Sequence, residues 1–499
     1  MWNHLGLRSR HFWGPAILVT VIMGALLACG PMCALGQTSL SVTSLAANPD
    51  RLPITTSSPE AAKLLVEGWH LRYDYRREQA MGKWREAAKK DPNLAQAWAY
   101  IVSEAVDPVV AKQAVEKAQH ASQNATPGEK LLVKWMISTN EGHFVDAIAA
   151  MNDLLAMYPR DTQLNYEAAL WLRNHDENEA AAKYAKRALE VDPNFAGAMN
   201  TLAYDLAGLR EYDQAIPYLK RYAEAEPTDP NPRDSLGEIL QKAGRLEESL
   251  AAYREALKLD PKFYPSQKSL GDDYALLGKQ DRAREEYAKA LPLMSIPQDK
   301  LDCQIQSAIT YAREGNVKQA RVQLEAVLEQ ATKLKLNDYR SRIHQYLALL
   351  AESQAAAFQQ LDEAEAVLQG PGQMSGAVRS DLLANTLRLR ARLAAESGKL
   401  EMARANVARL EKMVQSNRSN TVERAYHGAN GALLGAEKKI GAAIEELRED
   451  PEDPFSLAKL AELQVGAGSA HDAEGTRARL QADYGITLED WLVAQKFRQ

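Results

Sequence analysis

Small and apolar residues return along this chain at a fixed interval. Ala80, Ala114, Ala147, Ala181, Ala215, Ser249 and Ala283 follow one another every 33 or 34 residues. A second series keeps step with them: Pro159, Pro193, Pro227 and Pro261 are each 34 apart, and Pro92 stands 67 before Pro159. Two residue types held in phase over so many periods mark an array of repeats rather than one globular core. Within a period, no run of alternating β-branched and aromatic residues is long enough for a sheet strand. Ala, Leu, Glu, Lys and Arg dominate instead, and these residues lose little side-chain freedom in a helix. The pattern predicts an all-α chain.

The best-preserved period is 264–297, with Leu270-Gly271, Tyr274, Gly278, Ala283, Tyr287 and Ala290. The one before it has Leu236-Gly237, Gly244, Tyr253, Ala256 and Pro261. This resembles the tetratricopeptide repeat, a helix–turn–helix with Leu-Gly and Tyr in its first helix and Ala, aromatic, Ala and Pro in its second. The resemblance implies an α-solenoid, a right-handed superhelix of stacked hairpins. Gly237 and Gly271 are then expected where two helices approach closely, opposite Ala80-type positions. Leu236, Leu270, Tyr253 and Tyr287 are expected to fill the space between neighbouring hairpins. Gly244, Gly278, Gly315, Gly398 and Gly468 are expected at turns with positive φ, which suits glycine. Prolines would separate units, and Pro217, inside a second helix, predicts a local distortion.

Regular units begin near residues 61, 128, 162, 196, 230, 264 and 301, with a degenerate one at 95–127 that keeps Trp98 and Ala114. In that unit Asp107-Pro108 falls where the first helix should end. The regular array is expected over 61–334 and less regular helical repeats over 335–383, where Pro371-Gly372 suggests a bend. A further array spans 384–482 and a capping segment 483–499, making eleven or twelve hairpins. Residues 37–60 are rich in Ser and Thr and read as an exposed linker.

The first 36 residues differ from the rest. Arg8 and Arg10 precede an apolar run from Pro15 to Ala28, and no acid occurs before Asp50. This is the pattern of a secretory signal peptide, too short to span a bilayer comfortably. Ala34-Leu35-Gly36 before Gln37 is the expected cleavage site. Leu26-Leu27-Ala28-Cys29 offers an alternative, a lipoprotein box with a lipid on Cys29. An uncleaved anchor is the remaining alternative; the two cleaved routes predict an exported protein, periplasmic or secreted, with a membrane attachment only through Cys29. Removal of residues 1–36 takes two arginines and no acid from a chain of net charge −6, leaving −8. It also leaves Cys303 alone, which excludes an internal disulfide.

Charge and motifs narrow the function. Acids and bases are interspersed, so no basic stripe suits nucleic acid. His70, His120, His143, His175, His344, His427 and His471 show no metal spacing, and the chain calls for no metal or cofactor. Gly466-Ala467-Gly468-Ser469 lacks the Lys-Ser/Thr ending of a phosphate loop, and no G-x-S-x-G elbow occurs. The reading is therefore a non-catalytic scaffold for a protein or peptide partner. The alternative is an enzyme or carbohydrate-binding protein with a pocket in 335–383.

The repeat phase places a partner-facing wall on the first helix of each unit. Its candidate residues are Trp69, Arg72, Tyr73, Tyr166, Arg173, Asn200 and Tyr204, followed by Asn231, Asp234, Glu238, Gln241, Lys268 and Asp272. Aromatics give contact area with little entropy loss, and amides can pair with a peptide backbone. Some members of this family clamp a C-terminal carboxylate with lysines and asparagines. Here Lys268 stands with Asp272, where a neutral asparagine would be needed.

Overall fold

The computed structural model describes residues 49–73, 76–105, 108–175, 177–370, 374, 376–416, 419–481 and 485–497. The leader, Cys29, Asp107 and Pro371-Gly372 lie outside these. Among the described residues are 25 α-helices, one short 3-10 turn and no strand: the chain is an all-α solenoid of helical hairpins. It divides into two compact units, one ending at Leu209 and one beginning at Arg210. The division falls in a repeat turn, not in the 335–383 stretch.

The N-terminal unit holds α1 (Pro59–Tyr73), α2 (Arg77–Lys90), α3 (Ala95–Glu104), α4 (Pro108–Ser122), α5 (Pro127–Asn140), α6 (Phe144–Met157), α7 (Thr162–Arg173), α8 (Asn178–Val191) and α9 (Ala196–Gly208). The C-terminal unit opens with α10 (Tyr212–Ala225), α11 (Asn231–Lys242), α12 (Leu246–Leu259), α13 (Tyr264–Leu276), α14 (Gln280–Ala290), α15 (Pro297–Arg313) and α16 (Val317–Lys333). It continues through α17 (Asn337–Leu349), α18 (Gln354–Gln369), α19 (Gly376–Glu396), α20 (Leu400–Ser416), α21 (Asn420–Ala436) and α22 (Ile440–Arg448). It ends with α23 (Pro454–Gly466), α24 (Ala470–Gln481) and α25 (Leu488–Phe497).

Each hairpin closes over a small residue. A methyl group on Gly237 would lie 2.5 Å from the Tyr253 ring, and one on Gly271 2.5 Å from the Tyr287 ring. The two tyrosines thus cover the glycines of their own hairpins and also border the next hairpin, as the repeat phase suggested: one cluster joins Tyr253 to Leu270 and Tyr274 on α13, and Tyr287 to Cys303 on α15. Turn glycines 142, 244, 278, 315, 398 and 468 have φ between 74° and 82°. Arg210, Lys335 and Lys438 adopt the same left-handed conformation without being glycine. The Asp-Pro pairs that close units have a polar reason. Asp91, Asp192 and Asp260 each accept the amide two residues on, at 2.9, 3.1 and 2.9 Å, while the proline blocks helix continuation. Pro217 does not interrupt α10, which runs through it from Tyr212 to Ala225.

Two terminal segments depart from expectation. Residues 51–58 are not an exposed linker but a strap along the N-terminal unit. The Leu52 amide donates to Asp161 Oδ2 at 2.7 Å and the Thr55 amide to Glu129 Oε1 at 2.9 Å. Gln96 donates to the Pro53 carbonyl at 2.6 Å, and Asp91 accepts from the Thr56 hydroxyl and the Ser57 amide. Leu52 and Ile54, two apart, pack on the unit's core, as an extended segment requires. At the other end, α25 reaches α23 and α24 as a cap should, with Val493 buried beside Leu457, Leu460 and Leu480. It also runs back over earlier hairpins: Leu488 is fully buried in a cluster with Leu301, Ile305, Tyr339, Ile343 and Tyr346.

Candidate functional site

In the N-terminal unit the candidate wall is largely filled by its own side chains. Tyr73 on α1 meets Tyr166 on α7 edge to face at 5.0 Å, and both meet Phe195, at 5.0 and 5.2 Å. The Tyr73 hydroxyl donates to Gln163. Arg72 bridges Glu104 at 2.8 Å and Glu167 at 2.5 Å. Burial alone would lower the Arg72 pKa, but Glu167 and Glu104 outweigh it and hold the guanidinium well above its ordinary value. Burial pushes the Glu167 carboxyl up against the pull of Arg72. Trp69 stacks edge-on against Tyr100 at 5.7 Å. Farther along, Arg173 lies 5.8 Å over the Tyr204 ring, and Asn200 is buried. Beside them Asp205 is sealed from solvent, and burial, opposed by Arg173, pushes it up to about 8. Of the seven candidates, Tyr73 thus meets Tyr166 and Arg173 meets Tyr204, while Trp69 and Arg72 contact Tyr100, Glu104 and Glu167 of neighbouring helices.

In the C-terminal unit the candidates form a polar wall across successive first helices. Gln241 on α11 donates to Asp273 on α13 at 2.7 Å, and Ser266 on α13 donates back to Asp234 on α11 at 2.6 Å. Lys268 pairs with Asp272 at 2.7 Å, and Asp272 also accepts the Tyr287 hydroxyl at 2.7 Å. Tyr264 donates to Asp299 on α15 at 2.7 Å, and Tyr339 on α17 to Asp302 on α15 at 2.8 Å. Glu238 pairs with Lys242 at 2.8 Å, and Asn231 donates to the Tyr222 hydroxyl at 3.2 Å. Burial pushes Asp234 and Asp273 up to about 7, opposed for each by hydrogen bonds donated to it. Carboxylates outnumber cations along this wall. Asp273, Asp299, Asp302 and Tyr264 belong to it and were not among the sequence candidates; the row of acids on three consecutive first helices was the available signal.

The 335–383 stretch, considered as a pocket, holds the ordinary hairpin α17–α18. The cavity at Gln354, Ala357, Phe358, Leu393 and Glu396 is ≈ 90 Å³, far below the roughly 300 Å³ of small-molecule sites. Cys303 is buried and pushed up to about 12 by burial, which suits a packed thiol. Among the described residues, no group of three or more His, Cys, Asp or Glu could hold a metal, and no helix is long and apolar enough to cross a membrane.

Stacked helical hairpins with a polar first-helix wall define an interaction scaffold of the α-solenoid class. Residues 234–263, covering most of α11 and all of α12, match the family profile described as tetratricopeptide repeat. Among solved structures the chain is similar to MamA 41-end from Desulfovibrio magneticus RS-1, with 20% identity over 33% of this chain and 94% of that one and a TM-score of 0.31. TTC0263, a thermophilic TPR protein in Thermus thermophilus, shares 26% identity over 37% of this chain and 98% of its own, with a TM-score of 0.32. YrrB, a TPR protein with an unusual peptide-binding site, shares 20% over 36% and 91%, with a TM-score of 0.28. No curated protein matches.

Proposed function

We propose that this chain is an exported scaffold of the bacterial envelope that holds a segment of a partner protein against the first-helix wall of its C-terminal unit. The observation that carries the reading is the lateral hydrogen-bonded ladder from α11 to α15. It holds half-buried Asp234 and Lys268 in place against buried Ser266, Gln241 and Asp272, and preorganisation lowers the ordering entropy lost on binding. The excess of carboxylates there favours a partner segment carrying lysine or arginine. The wall of the N-terminal unit, closed by Arg72, Tyr73 and Tyr166, serves as structure instead.

A photo-crosslinking residue at Asn231 or Lys268, in chain exposed to envelope extract, should capture one protein, and a label at exposed Glu255 on α12 should not. Equal labelling from both positions would refute the assigned face. Export is supported by Arg8, Arg10 and the apolar run that follows. The mass of the chain recovered from the envelope fraction tests it: a start at Gln37 marks signal cleavage, a lipid-bearing Cys29 marks a lipid anchor, an intact Met1 in that fraction marks an uncleaved anchor, and recovery from the cytoplasm alone removes the export reading.

A further inference from the structure

The helix α25 presents Leu488, Trp491 and Leu492 at i, i+3 and i+4, the anchor spacing of a helix lying in a groove. All three join the cluster built by Leu301 and Ile305 of α15 and Tyr339, Ile343 and Tyr346 of α17. Arg313, at the end of α15, donates to the Ile486 carbonyl at 3.0 Å across 173 residues of sequence. This first-helix face is therefore shaped to receive an amphipathic helix. It adjoins the polar wall described above.

The occupant fits imperfectly at one point. Glu489, next to the anchor Leu488, is turned inward, and its Oε2 is buried without a hydrogen bond. Groups acting on it are Asp490 on its own helix, Asp453 ahead of α23, and Arg388 on α19, with Tyr346 of α17 also within its field. Arg388 is already engaged, 3.1 Å from Asp450 and 3.1 Å from Asp453. Three carboxylates thus share one guanidinium, and burial pushes Glu489 up to about 7. A buried carboxylate without full pairing weakens the contact that holds it. A helix with lysine or glutamine in that place would offer Asp453 a further donor beside Arg388 and leave no orphaned carboxylate.

We propose that the face over α15, α17 and α19 is a receptor for an amphipathic helix of a partner protein, and that α25 is its built-in, weaker occupant. The partner helix carries apolar residues at i, i+3 and i+4 and a basic or amide residue immediately after the first of them. The proposal rests on the scaffold reading and adds to it a second docking face, the kind of ligand that face takes and a resident competitor.

Two synthetic peptides of residues 485–497 test it, one native and one with Glu489→Lys, each titrated into the full chain by fluorescence anisotropy. The lysine peptide should bind about ten-fold tighter, the equivalent of one lost unsatisfied charge contact. Its binding should speed hydrogen exchange in residues 488–497 of the chain, because α25 is displaced. Placing Glu489→Lys in the full chain instead should tighten α25 and weaken binding of both peptides several-fold. Absence of binding by both peptides, equal affinities, binding without faster exchange at α25, or unchanged affinity in the full-chain variant would each overturn the proposal. The Asn231 and Lys268 crosslinks report separately on the scaffold reading, so a failed receptor and a failed scaffold give different results.

Discussion

At the residue scale, the hairpins are organised around a spacing of sixteen. Gly68 stands over Trp84, Gly237 over Tyr253, Gly271 over Tyr287 and Gly431 over Leu447. The Leu-Gly pair was legible because the repeat phase demanded a small residue there. Its large partner was assigned to the seam with the next hairpin, which Tyr253 and Tyr287 do border, but period alone does not show that the same rings also cover their own glycines. Adding a methyl in Gly271→Ala should cost about 1–3 kcal/mol, read as a lower urea midpoint. The turns offer the opposite change. Lys438 holds φ at 62° at a hairpin turn where six other described turns have glycine. Relief of about 1–2 kcal/mol of left-handed strain, less about 0.5–1 kcal/mol of added unfolded-state freedom, predicts that Lys438→Gly raises the urea midpoint slightly.

At the element scale, helix existence followed from the periodicity through most of the chain, including α17 and α18, which the loosened pattern after 335 made look irregular. The terminal elements did not. A Ser/Thr-rich segment reads as linker because composition carries no record of distant partners. Only the fold reveals that Glu129 closes the Thr126 cap and receives Thr55 as well. Glu129→Ala should therefore cost more than an ordinary cap, about 2–4 kcal/mol, and should deprotect the Leu52 and Thr55 amides in hydrogen exchange. For α25, a sign can be assigned. The Glu489 carboxyl is raised from its ordinary 4.5 to about 7, so its neutral form is the one the docked helix favours. Its contribution to docking is full below about 4.5 and is lost as pH rises through about 7. Intrinsic-rate-corrected exchange at residues 488–497 should be faster at about pH 8 than at about pH 5.5, and Glu489→Gln should flatten the difference.

At the scale of the whole molecule, the candidate wall was legible as a set of helix positions but not as an environment. Its N-terminal half is consumed by contacts between units far apart in the repeat order. Arg72 on α1 and Glu167 on α7 are 95 residues apart, and Leu52 and Asp161 are 109 apart. Such ties contradict a chain in which each repeat meets only its neighbours. Arg72→Ala would strand buried Glu167, whereas Glu104 keeps Arg77 at 2.7 Å, and should cost about 3–5 kcal/mol. The loss of exchange protection should spread over α1 to α9 together rather than stay within α1 and α2. A loss confined to the first hairpin would show that the N-terminal unit is a weakly coupled array after all.

The strap also bears on the order of events when the chain is made. Its anchors, Asp91, Glu129 and Asp161, are reached only after the strap itself has emerged, and the last of them lies 109 residues beyond Leu52. Contacts of such long separation form slowly, because a large loop must close first. Until Asp161 appears, the Leu52 amide lacks its acceptor, and α1 lacks Glu167 for Arg72. A chain leaving the ribosome or a translocation pore N-terminus first must therefore delay completing this unit. That interval, set by distance along the chain, is when the early hairpins are most open to chaperones and proteases.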